Sequence, residues 1–314
     1  MRRYDGPDVL DRLSPEAFRS PVCTVGVFDG VHLGHQQLLS ELAAWADEVS
    51  GESCVLTFER HPLSVLRGIE VPSVLGLDHR LLELERQGVQ AVVILDFAAV
   101  RNLTPAEFLQ RILIDRMGCR RFLLGFDSRV GKGGAGDADS LPEIGRTVAV
   151  EVRVAAPVQD EQGRKIGSSV LREGVLQGDL TLVARMLGHP FALRGRVVRG
   201  KGLGAGLGAA TANLQLEGEV LPPDGVYLVR VRTNGDREPG VANLGVRPTF
   251  GEAGERTFEV HVPGWGGERY GDVLEVELIS RLRGERRFED AAALRRQIAE
   301  DLEALHRAVA EGRL

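Results

Sequence analysis

Two hydrophobic periods share this chain, and one gives way to the other near residue 190. Before that point, short apolar runs alternate with segments whose apolar residues recur every three or four positions. Val22–Phe28, Ser53–Phe58, Ala91–Leu95, Arg121–Gly125 and Val148–Val154 read as strands. Leu38, Leu42, Trp45 and Val49 share one helical face, and Leu81–Gln87 and Ala106–Asp115 are further helical candidates. Strands that are apolar throughout, separated by helices, predict a parallel sheet covered on both faces, a Rossmann-like α/β domain. After residue 190 the apolar residues alternate. Leu193–Arg199, Val226–Arg232, Thr257–Val262 and Val273–Ser280 are separated by turns such as Pro222-Pro223-Asp224-Gly225. Short alternating strands with such turns predict a closed antiparallel β-barrel. Leu294, Ile298, Leu302 and Leu305 then line one face of a C-terminal helix. Two domains are expected, 1–186 and 187–314. The length of 314 residues agrees, because single cores stop growing at roughly 250–300 residues.

The formal charge of -6 argues against broad nucleic-acid binding, which needs a basic face. It leaves room for a nucleotide, whose phosphates can be held by backbone N–H groups and a few side chains. No apolar run approaches the roughly 18 residues that span a bilayer, and the first residues lack a signal peptide's apolar stretch. Cys23, Cys54 and Cys119 form no Cys-x-x-Cys pair and no even set. A reducing cytoplasm is expected, with no membrane and no nucleic-acid partner. Nothing in the sequence fixes the oligomeric state.

The first chemical constellation is Gly26-Val27-Phe28-Asp29-Gly30-Val31-His32-Leu33-Gly34-His35, where the first long strand gives way to a helix. In an open parallel sheet, ligands bind at that end. The helix N-terminus favours an anion, and glycines let phosphate approach the backbone. His32 and His35 can both face that phosphate and stabilise charge developing on a triphosphate. Two solvent-exposed histidines on a turn would look the same in isolation; the strand–turn–helix context favours the phosphate site. Zinc is disfavoured, since no cysteine or third histidine lies nearby. Further along, Ser168 and Ser169 can cap a helix starting near Val170, and Arg172 can bridge phosphate oxygens.

The second constellation is a glycine-dense stretch, Gly200-Lys201-Gly202-Leu203-Gly204-Ala205-Gly206-Leu207-Gly208, leaving the first barrel strand. It is not a P-loop, because its lysine does not precede Ser or Thr at a helix start, but its N–H groups can wrap phosphates. Thr211-Ala212-Asn213 follows, and Glu259 stands in Phe258-Glu259-Val260-His261. Alternation would point Phe258 and Val260 one way and Glu259 with His261 the other. By themselves these residues fit a flexible hairpin and a solvated strand carboxylate as well as a second phosphate-handling pocket at the mouth of the barrel.

These segments resemble, in order, the motifs of bacterial bifunctional riboflavin kinase/FMN adenylyltransferases. The first constellation is similar to the family's Gly-x-Phe-Asp-Gly-x-His-x-Gly-His signature. Thr57-Phe58-Glu59-Arg60-His61-Pro62, Gly125-Phe126-Asp127-Ser128-Arg129-Val130-Gly131 and Lys165-Ile166-Gly167-Ser168-Ser169-Val170-Leu171-Arg172 resemble three later ones. In the second half, Thr211-Ala212-Asn213, Pro223-Asp224-Gly225-Val226-Tyr227, Val241–Phe250, Glu259 and Leu282-Arg283 match family positions. The resemblance covers about residues 20–308. It implies an α/β nucleotidyltransferase domain followed by a riboflavin kinase barrel. It implies ATP held by Gly26, Phe28, Asp29, Gly30, His32, Gly34, His35, Lys165, Ser168, Ser169 and Arg172, with flavin near His61 and Asp127. In the barrel it implies ATP held by Gly200, Gly202, Gly204, Gly208, Thr211 and Asn213, Mg²⁺ at Thr211 and Asn213, flavin at Arg283 and Glu259 as catalytic base. ATP, riboflavin and FMN would be the substrates. The chain departs from the family pattern at Gly134, Gly167 and Val170. Ser128 and Val130 stand where the family has aromatics, which would weaken flavin stacking. Ala205, Ala209 and Ala210 replace an arginine and a Phe-Pro, and the missing proline would loosen the magnesium site. Three other readings stay open: a monofunctional adenylyltransferase, another His-x-Gly-His nucleotidyltransferase, and a non-catalytic flavin-binding protein.

Overall fold

The structure, a computed structural model, describes residues 1–160, 163–164, 166–199, 211–217, 219–233, 236–246, 256–266, 269–286 and 288–314. It divides into two compact units, Met1–Ser73 with Leu77–Ser168, and Val74–Gly76 with Ser169–Leu314.

The first unit is built on six strands: β1 (Arg2–Tyr4), β2 (Pro21–Val25), β3 (Glu52–Phe58), β4 (Ala91–Leu95), β5 (Arg121–Leu124) and β6 (Glu151–Val154). They lie in the order β1-β4-β3-β2-β5-β6, every pair parallel. All residues of β2, β3 and β4 are buried, as strands sandwiched between helices must be. Cys23, Leu56, Val93, Phe122 and Leu109 belong to the core on one side of the sheet. Cys23 and Cys54 are register partners, and all three thiols are buried and unlinked. Ala91–Leu95 is the expected strand end to end. Strand β6 starts later than expected, because Ala149 turns at φ +56°.

The strand order fixes where a ligand can sit. From β2 the chain moves to β3 and β4 on one side, then returns to β5 and β6 on the other. Connections leaving β2 and β5 therefore diverge and leave a crevice beyond their carboxyl ends.

In the second unit, β7 (Ala192–Val198), β8 (Ala212–Leu216), β9 (Gly225–Thr233), β10 (Asp236–Val246), β11 (Arg256–His261) and β12 (Val273–Arg283) close an antiparallel barrel in the order β10-β11-β8-β7-β12-β9. Tyr227, Leu244, Phe258 and Val260 are buried, at most 1% exposed, and fill its interior. A barrel of six strands is too narrow to hold more than its own side chains. Its long C-terminal helix, Ala291–Ala310, is capped by Asp290, whose carboxylate accepts from the Ala293 amide at 2.7 Å. Leu305 and Ala308 press this helix onto Leu228 of the outer wall, with Val241, Ile279 and Leu282 alongside.

Candidate functional site

Three cavities gather the residues singled out from sequence, two in the first unit and one in the second. The first begins where β2 ends and the Gly26–His32 turn enters helix α1 (Leu33–Glu48). Gly30 has φ +82°, which glycine tolerates, but Phe28 (+53°) and β-branched Val31 (+41°) also lie in the left-handed region. Such residues cost on the order of 1–3 kcal/mol each, so their surroundings must hold them. The holding contacts are visible. The Phe28 side chain is 1% exposed, its ring centroid 5.1 Å from that of His35. Ser168 Oγ donates to the Asp29 carbonyl at 2.9 Å, and the Gly26 amide donates to the Leu56 carbonyl at 3.0 Å. A Cβ on Gly26 would meet the Phe28 ring at 3.0 Å, so any larger residue there would push on the ring that holds the turn.

His32 is the N-cap of α1. Its Nδ1 accepts from the His35 amide at 3.3 Å. An accepting Nδ1 assigns the proton of the neutral ring to Nε2, the nitrogen left to donate elsewhere. The two imidazoles stack with centroids 3.7 Å apart and planes 15° off parallel. Gly34 leaves room for the stack: a Cβ there would sit 3.2 Å from two His32 ring atoms, and the ring would have to shift by a few tenths of an ångström. The His35 Nδ1 is enclosed and has no hydrogen-bond partner among the described residues.

These rings open on a cavity of about 150 Å³ whose walls include Gly34, Asp127, Pro157 and Ser168. Asp127 thus joins the histidines. His61 does not line this cavity; it caps helix α2 (Pro62–Arg67), its Nδ1 accepting from the Leu63 amide at 3.2 Å. Phe28 and Asp29 are buried below the turn and do not line it either. Ser168 begins helix α3 (Ser168–Gln177) rather than preceding it, so its hydroxyl is spent on the Asp29 carbonyl. Ser169 and Arg172 follow in the first two turns and group with the second unit. Lys165 lies outside the described residues.

A second cavity, about 230 Å³, shares Ser128 as a wall with the first and is largely aromatic and aliphatic. Phe58 meets Phe97 edge-on, centroids 5.4 Å apart at 85°. Phe108 joins them from a π-helix, Phe108–Ile114, where the sequence suggests an α-helix. Arg101 and Arg129 are also part of its lining. The aromatic surface missing at Ser128 and Val130 is supplied here by other elements. Phe97 stands two residues past β4, at the ligand end of the sheet, which is the signal that could have found it.

Arg80 was not singled out either. It is 2% exposed, and its Nη2 donates to the Phe58 carbonyl at 2.6 Å. Burial pushes its guanidinium down from the ordinary range, and the Asp29 carboxylate opposes that shift. The signal was available: Arg80 sits at helical spacing from Leu77 and Leu84, a charge on an apolar face.

The third cavity, about 270 Å³, is lined by the outer face of the barrel wall and by the C-terminal helix over it. The interior is filled, and alternation turns Glu259 outward while Phe258 and Val260 turn in. Strand pairing puts the key residues on one transverse line. Arg283 of β12 pairs with Val226 of β9, Val226 with Asn243 of β10, Asn243 with Glu259 of β11, and Glu259 with Asn213 of β8. Thr211, two residues before Asn213, lines the same cavity. Arg283 is gripped by Asp301 of the helix, with Nε–Oδ1 3.0 Å and Nη2–Oδ2 2.8 Å. Leu294, Ile298 and Leu302 form an apolar ceiling. Gly200, Gly202, Gly204 and Gly208 lie outside the described residues, as do Ala205, Ala209, Ala210 and Arg247–Phe250.

Comparison with known proteins agrees with this division. A riboflavin kinase family model matches residues 187–309, and an FAD synthetase family model matches residues 14–170. The bifunctional riboflavin kinase/FMN adenylyltransferase of Pseudomonas fluorescens is 38% identical over 296 residues, 94% of each chain. The chain belongs to the bifunctional riboflavin kinase/FMN adenylyltransferase family. The Bacillus subtilis member is 32% identical over 89% of this chain and 90% of its own, and the Escherichia coli K12 member 35% over 93% and 94%. A solved Streptococcus pneumoniae structure, named a macrolide-efflux protein, shares the fold with TM-score 0.78 and 30% identity, covering 93% of this chain and 97% of that one. Macrolide efflux is stated of that protein alone. Among the described residues of this family member, no helix is long and apolar enough to cross a membrane.

The stacked histidines have a consequence for acid stability. Burial, then the neighbouring His32 and Arg80, hold the His35 imidazole well below the usual histidine range. The unfolded chain takes up that proton near pH 6.5, whereas the folded chain takes it up only at lower pH. Stability present above pH 6.5 is therefore lost as the pH falls towards the folded value, at up to about 1.4 kcal/mol per pH unit. Thermal unfolding between pH 7 and 5 checks this: the midpoint drops on acidification, and His35→Gln flattens the slope. An unchanged slope in the variant would remove His35 as a source.

Proposed function

We propose that the barrel unit transfers the γ-phosphoryl group of ATP to the ribityl 5′-hydroxyl of riboflavin, and that the sheet unit joins the resulting FMN to AMP from a second ATP. Support for this division comes chiefly from one observation: each cavity is lined wholly by residues of one unit. Two reactions can then run on separate sites. By function the boundary falls between residues 186 and 187; the two family models leave 171–186 to neither.

In the barrel, Glu259 takes the proton of the 5′-hydroxyl as that oxygen attacks the γ-phosphorus and ADP leaves. Arg283, fixed by Asp301, and the apolar ceiling hold the flavin. Thr211 and Asn213 offer a hydroxyl and an amide oxygen on the same outward face as Glu259, a hard-oxygen donor set that suits Mg²⁺. When bound there, Mg²⁺ would neutralise charge on the ATP phosphates. The glycines from Gly200 to Gly208 would wrap those phosphates.

In the sheet unit, an FMN phosphate oxygen attacks the α-phosphorus of ATP and pyrophosphate departs. The chain forms no covalent intermediate, so its task is positioning and charge stabilisation. Gly26, Gly30 and Gly34 keep the turn close to the triphosphate, while Phe28 and Asp29 hold it from below. His32 and His35 face the phosphates, with Lys165 and Ser168 completing the ATP site within this unit. The flavin ring fits the phenylalanine cavity, with Asp127 and His61 next in sequence to its lining residues Ser128 and Pro62. The shared Ser128 wall would let the two substrates meet. A cytoplasmic location fits both reactions.

The test is product analysis. Purified protein given riboflavin, ATP and Mg²⁺ forms FMN and then FAD, and given FMN forms FAD directly. FAD from FMN without FMN from riboflavin would reduce the barrel to a binding module.

A further inference from the structure

We propose that Asn243 is the side chain by which the kinase cavity recognises the hydroxyls of the ribityl chain. This rests on the reading of the barrel cavity as the riboflavin phosphorylation site. Neighbouring strands β9, β10, β11 and β8 give that cavity a direction. On the β8 side stand Thr211, which lines the cavity, and Asn213, in register with Glu259, oxygen donors that follow a glycine-dense stretch, which is chemistry for phosphate and its cation. On the other side stand Val226 and Val241 of the wall and Leu294, Ile298 and Leu302 of the helix, chemistry for a flat apolar ring. Glu259 lies between the two.

An acceptor that lays its ring on the apolar side and its terminal hydroxyl against Glu259 must run its connecting chain across β10. Of the two outward-facing residues of β10 that line the cavity, Val241 and Asn243, the one in register with Glu259 is Asn243, which also pairs with Val226 on its other flank. In riboflavin that connecting chain is a polyol. A carboxamide, with two N–H donors and one carbonyl acceptor, can serve neighbouring hydroxyls that both donate and accept. It does so without charge. An aspartate at 243 would place a second carboxylate beside Glu259 and raise the proton affinity of the pair.

Asn243→Leu keeps the size and removes the hydrogen bonds. The expected result is a rise of about tenfold in the KM for riboflavin, the usual scale for a lost hydrogen bond to a buried neutral group, with the KM for ATP within about twofold of wild type. A purely structural asparagine would disturb both substrates. The decisive comparison uses 4′-deoxyriboflavin. Removing that hydroxyl should cost the wild type about tenfold in kcat/KM and cost the Leu variant less than about twofold, because its partner is already gone. Asn243→Ser, a smaller change that keeps a donor, should fall between the two and serves if the Leu variant unfolds below the assay temperature. An unchanged riboflavin KM in a folded variant, or an undiminished deoxy penalty, would overturn the assignment. Glu259→Gln in the same assay separates this from the underlying reading. If Glu259→Gln still phosphorylates riboflavin at full rate, the cavity itself is misread. If it is inactive while Asn243→Leu behaves as wild type, only the role of Asn243 falls.

Discussion

Glu259→Gln lowers riboflavin phosphorylation by about 10²–10⁴-fold, the range supplied by a positioned general base, and leaves FAD synthesis from FMN at the wild-type rate. Glutamine keeps the shape of the side chain and its place on the line between Asn243 and Asn213, so the barrel wall is preserved. What is lost is the ability to accept a proton from the attacking hydroxyl. The residue is half-buried on the outer wall and contributes nothing to the interior packing of Phe258 and Val260, so the thermal midpoint should move by no more than about 0.5 kcal/mol in equivalent stability. The measurement is kcat for FMN formation beside kcat for FAD formation in one preparation. A proportional loss of both activities would mean that the two cavities do not work separately. A kinase rate within tenfold of wild type would leave positioning, not proton abstraction, as the barrel's contribution.

The sequence made the parallel sheet legible because burial on both faces leaves little room for polar residues. Ala91–Leu95 is wholly apolar and is a strand from end to end. It left β1 hidden, because Arg2, Arg3 and Tyr4 carry no apolar pattern and become a strand only by pairing with Ala91, Val92 and Val93. Strands β8 and β10 were hidden for another reason. Their segments, Ala212–Leu216 and Asp236–Val246, mix glycine, proline, asparagine and charged residues among the apolar ones and carry no clean alternation. The location of the third cavity followed from something no local pattern encodes, namely that six strands close with their own side chains filling the middle. The bound on the ligand is therefore the outer wall and the helix over it. Arg80 and the Phe58–Phe97 pair illustrate the same limit in the first unit. Each residue is visible in the sequence, but what it touches depends on which strand ends are neighbours.

His32→Asn lowers FAD formation from FMN by about 10²–10³-fold, the loss seen when one preorganised donor to a developing anion is removed, and leaves riboflavin phosphorylation untouched. The choice of asparagine matters because His32 has two jobs. Its Nδ1 caps helix α1 through the His35 amide, and its Nε2 is the proton-bearing nitrogen turned away from that bond. Asparagine is among the best N-caps, so its side-chain oxygen can take over the first job while nothing replaces the second. His32→Ala loses both, and should show the same catalytic defect with a further stability loss of about 1 kcal/mol from the missing cap. Because the phosphate charge at issue builds up as pyrophosphate departs, the defect should fall on kcat more than on the KM for ATP. The comparison of the two variants in steady-state kinetics and thermal unfolding separates the roles. If His32→Asn synthesised FAD at the wild-type kcat, capping would be all that His32 does, and the charge on the departing pyrophosphate would have to be met by His35, whose neutral ring lies 3.7 Å away in the stack.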